Sequence, residues 1–363
     1  MNHRPAAADA ALQRLVDQVR DAAARKAALN IVGGDTKAFY GNPVAGELLS
    51  TRALCGISDY APTELVITAR AGTPLAEVEA ALAERGQYLA FEPPRYAPGG
   101  TIGGMVAAGL SGPSRAAMGA ARDHVLGASL LSGRGEVLSF GGQVMKNVAG
   151  YDVSRLLVGS LGTLGVILEV SLRVVPQPVE SRTLCFEMDA AHALQQINRW
   201  GGQPLPINAS AWIGGRLWVR LAGARAAVRS AAGLLGGDAI GEADAPWCEL
   251  RDHRHAYFSA AWAALEHGAS LWRLSVAATT PPLQLPGHGL VEWGGAQRWL
   301  VTDAAAEAVR ECARTSGGHA TLFRGRGDGV RVFAPLSAPV ARIHERLMTA
   351  FDPDRIFNRG RLH

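Results

Sequence analysis

The chain has 363 residues, 48% of them hydrophobic and 19% charged, and a net charge of +4 at pH 7. That composition excludes an extended disordered chain. The small net charge, without a long basic run, argues against a nucleic-acid-binding stripe, and the length leaves room for two domains of roughly 100–200 residues each.

The opening MNHRPAAADAALQRLVDQVR is polar and helical and lacks the apolar segment of a secretory signal, so a cytoplasmic chain is expected. Leu12, Leu15, Val16 and Val19 recur at helical spacing and predict an amphipathic helix over residues 8–28, followed by a strand over residues 30–32. Leu65, Ile67 and Ala69 alternate as a half-buried strand would. Thr73 stands where an N-cap belongs, ahead of Pro74, with Leu75, Val78 and Leu82 on one helix face and Gly86 at its end. Strand patterns return over residues 125–131, 137–140 and 165–175. The longest apolar stretch, residues 156–170, is short of the roughly 20 residues a bilayer crossing needs, so membrane association is expected only through a partner.

Pro176 and Pro178 mark a boundary, and all eight tryptophans lie beyond it. Trp212 to Trp218 reads as a strand, a Gly-Gly turn and a strand, followed by a helix over residues 224–235. Trp293 to Trp299 is followed in the same way by a helix over residues 304–315. This weak repeat predicts one antiparallel sheet with helices on a single face and the tryptophans as its core fillers. Cys55, Cys185, Cys248 and Cys312 form no Cys-x-x-Cys and are read as buried, reduced thiols, with no metal site.

No Gly-x-Gly-x-x-Gly fingerprint, P-loop, nucleophile elbow or zinc-binding histidine pair occurs. Three glycine-rich segments remain: Gly33 to Lys37, Pro98 to Gly104, and Gly159 to Gly165. Consecutive backbone N–H groups bind a pyrophosphate where glycine permits close approach and positive φ, so converging loops of this kind would cradle an extended dinucleotide. The chain has 33 arginines and three lysines, yet Lys37 and Lys146 both fall in candidate cofactor segments. Arg122 and Asp123 are expected to form a structural ion pair.

Taken in order, Gly33-Gly34-Asp35-Thr36-Lys37, Glu64 to Thr73, Gly100 to Gly104, Lys146 to Asp152, Gly159 to Gly165 and the tail Phe351 to Arg361 resemble the FAD-binding family of the vanillyl-alcohol oxidase type. Within it the chain is similar to the FAD-binding subunits of bacterial glycolate oxidases. The resemblance implies an α+β fold: a two-part FAD-binding domain over residues 1–178, a C-terminal antiparallel-sheet cap domain over residues 179–340 with helices on one face, and a segment over residues 341–363 returning to the FAD-binding domain. It implies FAD held by Gly33, Gly34, Asp35, Thr36 and Lys37 at the pyrophosphate, by Thr101, Gly103 and Gly104 along the pyrophosphate and flavin, by Gly162, Thr163, Gly165 and Val166 near the adenine end, and by Lys146 and Asn358. Relatives with covalent flavin carry a histidine in the first glycine loop, whereas this chain has Asp35 and Thr36, so FAD is expected to be non-covalent.

Relatives that oxidise 2-hydroxy acids have a Gly-Asp-Gly-Asn segment ending in histidine; here Gly327-Asp328-Gly329 runs on into Val330-Arg331-Val332. Alcohol oxidation needs a base, and His319, His253 and His255 are the candidates, none at a compelling spacing. The catalytic residues therefore stay unassigned. The resemblance implies a subunit that joins a homologous flavoprotein and an iron–sulfur subunit in oxidising glycolate to glyoxylate and passing the electrons on, with its own alcohol site degenerate. A free-standing FAD-dependent 2-hydroxy-acid dehydrogenase and a non-catalytic adaptor retaining the flavin fold are the alternatives.

Overall fold

The structure is a computed structural model and describes residues 6–142, 152–241, 244–325 and 329–362. The first helix, Ala6–Arg25, buries Leu15, Val16, Val19 and Ala22 against Leu29, Leu49, Leu131 and Val166. Arg25 closes it, where a cation suits the helix dipole, and pairs with Asp21 and Glu47. The strand Leu29–Val32 then lies parallel to Glu47–Ser50.

A five-stranded antiparallel sheet follows, in the order Ile57–Ala61, Val66–Arg70, Val166–Arg173, Val125–Leu131, Val137–Gly141. Val66–Arg70 is not half-buried as its alternation predicts, because both faces are covered. Ile67 and Ala69 join the core beneath the helix Leu75–Ala83, and Thr68 meets Ser171 hydroxyl to hydroxyl at 2.9 Å inside the protein. The N-cap expected at Thr73 is also absent. Its hydroxyl donates to the Gly56 carbonyl and accepts from the Gly56 N–H, so it ties a loop to the sheet while the helix starts at Leu75 without a side-chain cap. Val78 and Leu82 are fully buried, each contributing roughly 1.5–3 kcal/mol by leaving water.

Beyond Pro178, eight antiparallel strands form a second sheet, in the order Asp238–Ile240, Glu180–Glu187, Arg216–Gly223, Ile207–Ile213, His288–Glu292, Gln297–Thr302, Ser270–Ser275, His319–Gly325. The repeat seen in the sequence is real: two hairpins meet at the pairing of Ile207–Ile213 with His288–Glu292. Gly214 and Gly215 both take positive φ, as a two-residue hairpin turn with the twist of its strands requires. The helices Ala190–Gly201, Arg225–Leu235 and Ala306–Thr315 cover one face, over Leu217, Val219, Leu274 and Leu300.

The opposite face is not bare. Leu271, Leu290, Trp299 and Phe323 pack there against the helices Ala245–Arg251 and Ala256–Glu266 and against Tyr40, Ala108, Leu110 and Leu161 from the first half. Trp293 adds a link between the halves, its Nε1 donating to the Gly112 carbonyl at 2.9 Å. Trp247, Trp272 and Trp299 are buried, as core fillers should be. All four cysteines are free, as reduced thiols should be, but they are not buried as expected: Cys55 is exposed in a loop and the others are half-buried.

After the helix Ala338–Phe351 the backbone returns to the first strand. Leu29 donates to the Ile356 carbonyl and accepts from the Asn358 N–H, while the Asp352 carboxylate holds the turn by accepting from the N–H groups of Ile356 and Phe357.

Candidate functional site

The strand Leu29–Val32 runs into the loop Gly33 to Lys37, and the helix Ile102–Ala108 begins beside it. Thr101 caps that helix, its Oγ1 accepting from the Gly104 N–H at 3.3 Å. Loop and turn lie so close that a Cβ on Gly34 would stand 1.9 Å from the Gly99 carbonyl oxygen, and one on Gly33 2.5 Å from Thr101 Oγ1. Gly33 and Gly34 lack the positive φ expected of the glycine segments, whereas Gly99, Gly159 and Gly162 take it; in the first loop the left-handed residue is Asp35, at φ 60°, so its two glycines serve close approach alone.

The two segments wall a cleft of about 760 Å³ that Gly33, Gly34, Asp35, Thr36, Lys37, Thr101, Gly104 and Asn358 line together. A smaller cavity of about 60 Å³ shares Gly33, Gly104 and Asn358 with it and adds Gly103, Gly162 and Gly165. Thr163 and Val166 are not brought to either cavity. The Thr163 hydroxyl donates to the Ser160 carbonyl at 2.8 Å, and Val166 is buried among Leu131 and Leu168. Lys146 lies outside the described residues.

Asn358 fixes the geometry from the far end of the sequence. Its Oδ1 accepts from the Ile31 N–H at 2.8 Å and its Nδ2 donates to the Leu161 carbonyl at 2.7 Å, joining three walls of the cleft.

The cleft is cationic. Lys37 lines it with its amine 5.7 Å from the Tyr96 ring centre, and burial lowers its pKa to about 8 against the pull of Asp252. Arg52 donates to the carbonyls of Gly33 and Gly34, at 2.9 and 3.3 Å. Arg361 donates to the Ala38 carbonyl at 2.8 Å, and burial lowers its pKa while Asp35 opposes the shift. Bare backbone, three cations and one carboxylate fit an anionic ligand, and the volume is within the roughly 300–1,000 Å³ of cofactor sites. Arg52 and Arg361 escaped the sequence reading because each reaches the loop through tertiary packing, not through a local motif.

Comparison with known proteins agrees with this geometry. Residues 10–141 match the FAD binding domain family. The chain is 47% identical to glycolate oxidase subunit GlcE of Escherichia coli (strain K12) over 97% of each chain. The chain belongs to the GlcE family of glycolate oxidase subunits. As a GlcE-family member it carries an FAD-binding domain, within an oxidoreductase family whose members are named as subunits. It is also 40% identical to glycolate oxidase subunit GlcD of Bacillus subtilis (strain 168), over 23% of this chain and 18% of that one. D-2-hydroxyglutarate dehydrogenase of Xanthomonas citri pv. viticola is 33% identical over 49% of this chain and 38% of its own. A solved structure of alkyldihydroxyacetonephosphate synthase superposes with a TM-score of 0.66 at 15% identity, covering 95% of this chain and 75% of that one, which shows the shared fold. No helix among the described residues is long and apolar enough to cross a membrane.

None of the three candidate bases of this GlcE-family chain lines the cleft. His253 is buried in a left-handed conformation (φ 55°), its ring stacked on Phe258 at 3.8 Å. Burial pushes its pKa well down, and its Nδ1 has no hydrogen-bond partner among the described residues. His255 caps the helix Ala256–Glu266, its Nδ1 accepting from the Tyr257 N–H at 3.2 Å, and His319 is exposed at the start of its strand. Asp123 accepts from the Ala120 N–H at 2.8 Å, a local helix-start contact in place of the expected partnership with Arg122. Gly327 and Asp328 lie outside the described residues.

Proposed function

We propose that this chain is the FAD-binding subunit of a complex that oxidises glycolate to glyoxylate, together with a homologous flavoprotein and an iron–sulfur subunit that carries the electrons onward. The reading rests on one observation above all: a glycine-walled, cation-lined cleft in a chain that is 47% identical to a glycolate oxidase subunit along nearly its whole length. When bound, FAD supplies the reversible acceptance of electrons that no side chain offers. Gly33 and Gly34 let a phosphate approach the backbone, Lys37, Arg52 and Arg361 balance its charge, and Asn358 holds the walls in register. Among the described residues that line the cleft there is no histidine, cysteine or tyrosine, which supports non-covalent attachment.

We further propose residues 1–178 and 341–363 as the two parts of the FAD-binding domain, with residues 179–340 as the cap. Membrane contact belongs to the partners. Purified protein should be yellow and should release its FAD completely on acid precipitation. Flavin retained on the denatured chain refutes non-covalent binding, and protein that stays colourless after incubation with FAD refutes the cofactor role. Tagged chain should also co-purify with a second flavoprotein and an iron–sulfur protein.

A further inference from the structure

No residue of the eight-stranded sheet is among the described residues lining the cleft or its smaller neighbour. Between sheet and cleft lies a layer of rings. Lys37, on the cleft wall, sits over Tyr96. Tyr96 meets Phe323 edge to face at 6.1 Å, and Phe323 meets Trp299 in the same way at 4.8 Å. Phe39 and Tyr40 complete the layer on the loop side, 5.3 and 5.6 Å from Phe323. Phe323 and Trp299 are almost wholly buried, so the rings are packed as core.

Behind Tyr96 is a chamber of only about 10 Å³, lined by His253, Arg273, Glu292 and Gln297, with room for about one water molecule. Three of its polar side chains serve one another or the ring layer, while His253 Nδ1 has no partner among the described residues. Glu292 accepts from Trp299 Nε1 at 2.7 Å and from Gln297 Nε2 at 3.0 Å, and Arg273 donates to the Tyr40 hydroxyl at 3.0 Å. Even the smallest 2-hydroxy acid is several times the size of a water molecule and does not fit.

We propose that Tyr96, Phe323 and Trp299 close the sheet side of the cofactor cleft to small alcohols, so that this subunit exchanges electrons with a partner's one-electron carrier and does not take hydride from a 2-hydroxy acid. The proposal rests on the FAD reading above. Hydride transfer breaks the substrate's C–H bond, sends both electrons to the flavin and needs a base for the hydroxyl proton. The ring layer keeps both the substrate and His253 from the cleft. Delivery by a protein-borne carrier breaks no bond: the carrier is oxidised by one electron per step, two such steps reduce the flavin, and the matching protons come from water.

The test uses the full chain loaded with FAD and follows flavin absorbance. Glycolate, and sulfite as a small nucleophile that adds to accessible flavin, should leave the spectrum unchanged, while light-driven single-electron reduction should bleach it. Tyr96→Ala, and Phe323→Leu should Tyr96→Ala not fold, should raise sulfite affinity by about tenfold or more. Bleaching of the wild-type flavin by glycolate or sulfite overturns the proposal, as does a folded, flavin-bearing variant of either kind that gains no sulfite affinity. Wild-type protein that takes up no FAD overturns the underlying reading, and the proposal with it, by a different signal.

Discussion

Asn358 accepts a hydrogen bond from the Ile31 N–H across 327 positions of sequence, and so sets the strand that feeds the glycine loop. Asn358→Ala leaves that N–H and the Leu161 carbonyl without their partner. It should cost about 2–3 kcal/mol in urea denaturation and lower FAD affinity. Asn358→Asp keeps the acceptor for Ile31 but loses the donor to Leu161, and should fall between alanine and wild type. Equal stability of all three proteins would falsify the pinning role.

Gly34→Ala should abolish FAD binding while leaving the far-UV circular dichroism intact, because the added Cβ would stand 1.9 Å from a backbone oxygen. Gly104→Ala should be far milder, its Cβ meeting the Thr101 Oγ1 at 3.3 Å. Full flavin occupancy in Gly34→Ala would move the pyrophosphate elsewhere.

Lys37→Ala should weaken FAD binding by about 1–2 kcal/mol, roughly 5–30-fold, as for one charge-assisted contact. The pH dependence has two signs. The folded lysine titrates near pH 8, below its unfolded value of roughly 10.4, so above pH 8 the cleft loses a positive charge and FAD affinity should fall. Between about pH 8 and 10 the unfolded chain binds more protons than the folded one, so the free protein should gain stability from this group. Titrations and denaturation curves at paired pH values should show both trends in wild type and neither in Lys37→Ala.

Arg220 reaches Glu92 at 2.6 Å, an almost buried ion pair between the eight-stranded sheet and the first half, and Glu92 also accepts from the Ser114 N–H. Arg220→Ala leaves that carboxylate buried and unpaired and should destabilise the protein by about 3–5 kcal/mol. The double change with Glu92→Gln should recover part of the loss in denaturant melts. A double mutant no better than Arg220→Ala would show that packing of the arginine, not its charge, matters.

The isolated chain should not turn over glycolate with an artificial dye. Activity should appear when the second flavoprotein and the iron–sulfur protein are added, and an assembly lacking this chain should be inactive. Substantial turnover by the chain alone would favour a free-standing dehydrogenase, and substitution of His319, His253 and His255 in turn would then locate its base.

The glycine-walled cleft was legible in the sequence because its geometry is local: Gly33, Gly34 and Gly104 form a surface through what they lack, and contiguous residues supply it. The two hairpins showed in Gly214-Gly215 and in the tryptophans for the same reason. Arg52 and Arg361 were not legible, since nothing near either predicts that its guanidinium will reach the loop. Thr73 misled because a hydroxyl before Pro74 suits an N-cap as well as a bond to Gly56, and only tertiary packing decides between them. Phe258 and Trp262 lie on a helix apolar around much of its circumference, so periodicity gave no sign that it would cover the sheet's second face.

The pairing of Leu29 with Phe357 also sets a time of assembly. The cleft's walls come from residues near 31, 104 and 161 and from residues 358 and 361, so they cannot close while the ribosome is still making the last of these. If FAD sits in this cleft as proposed, a chain cut short before residue 358 should emerge without colour, which absorbance of the truncated protein would show.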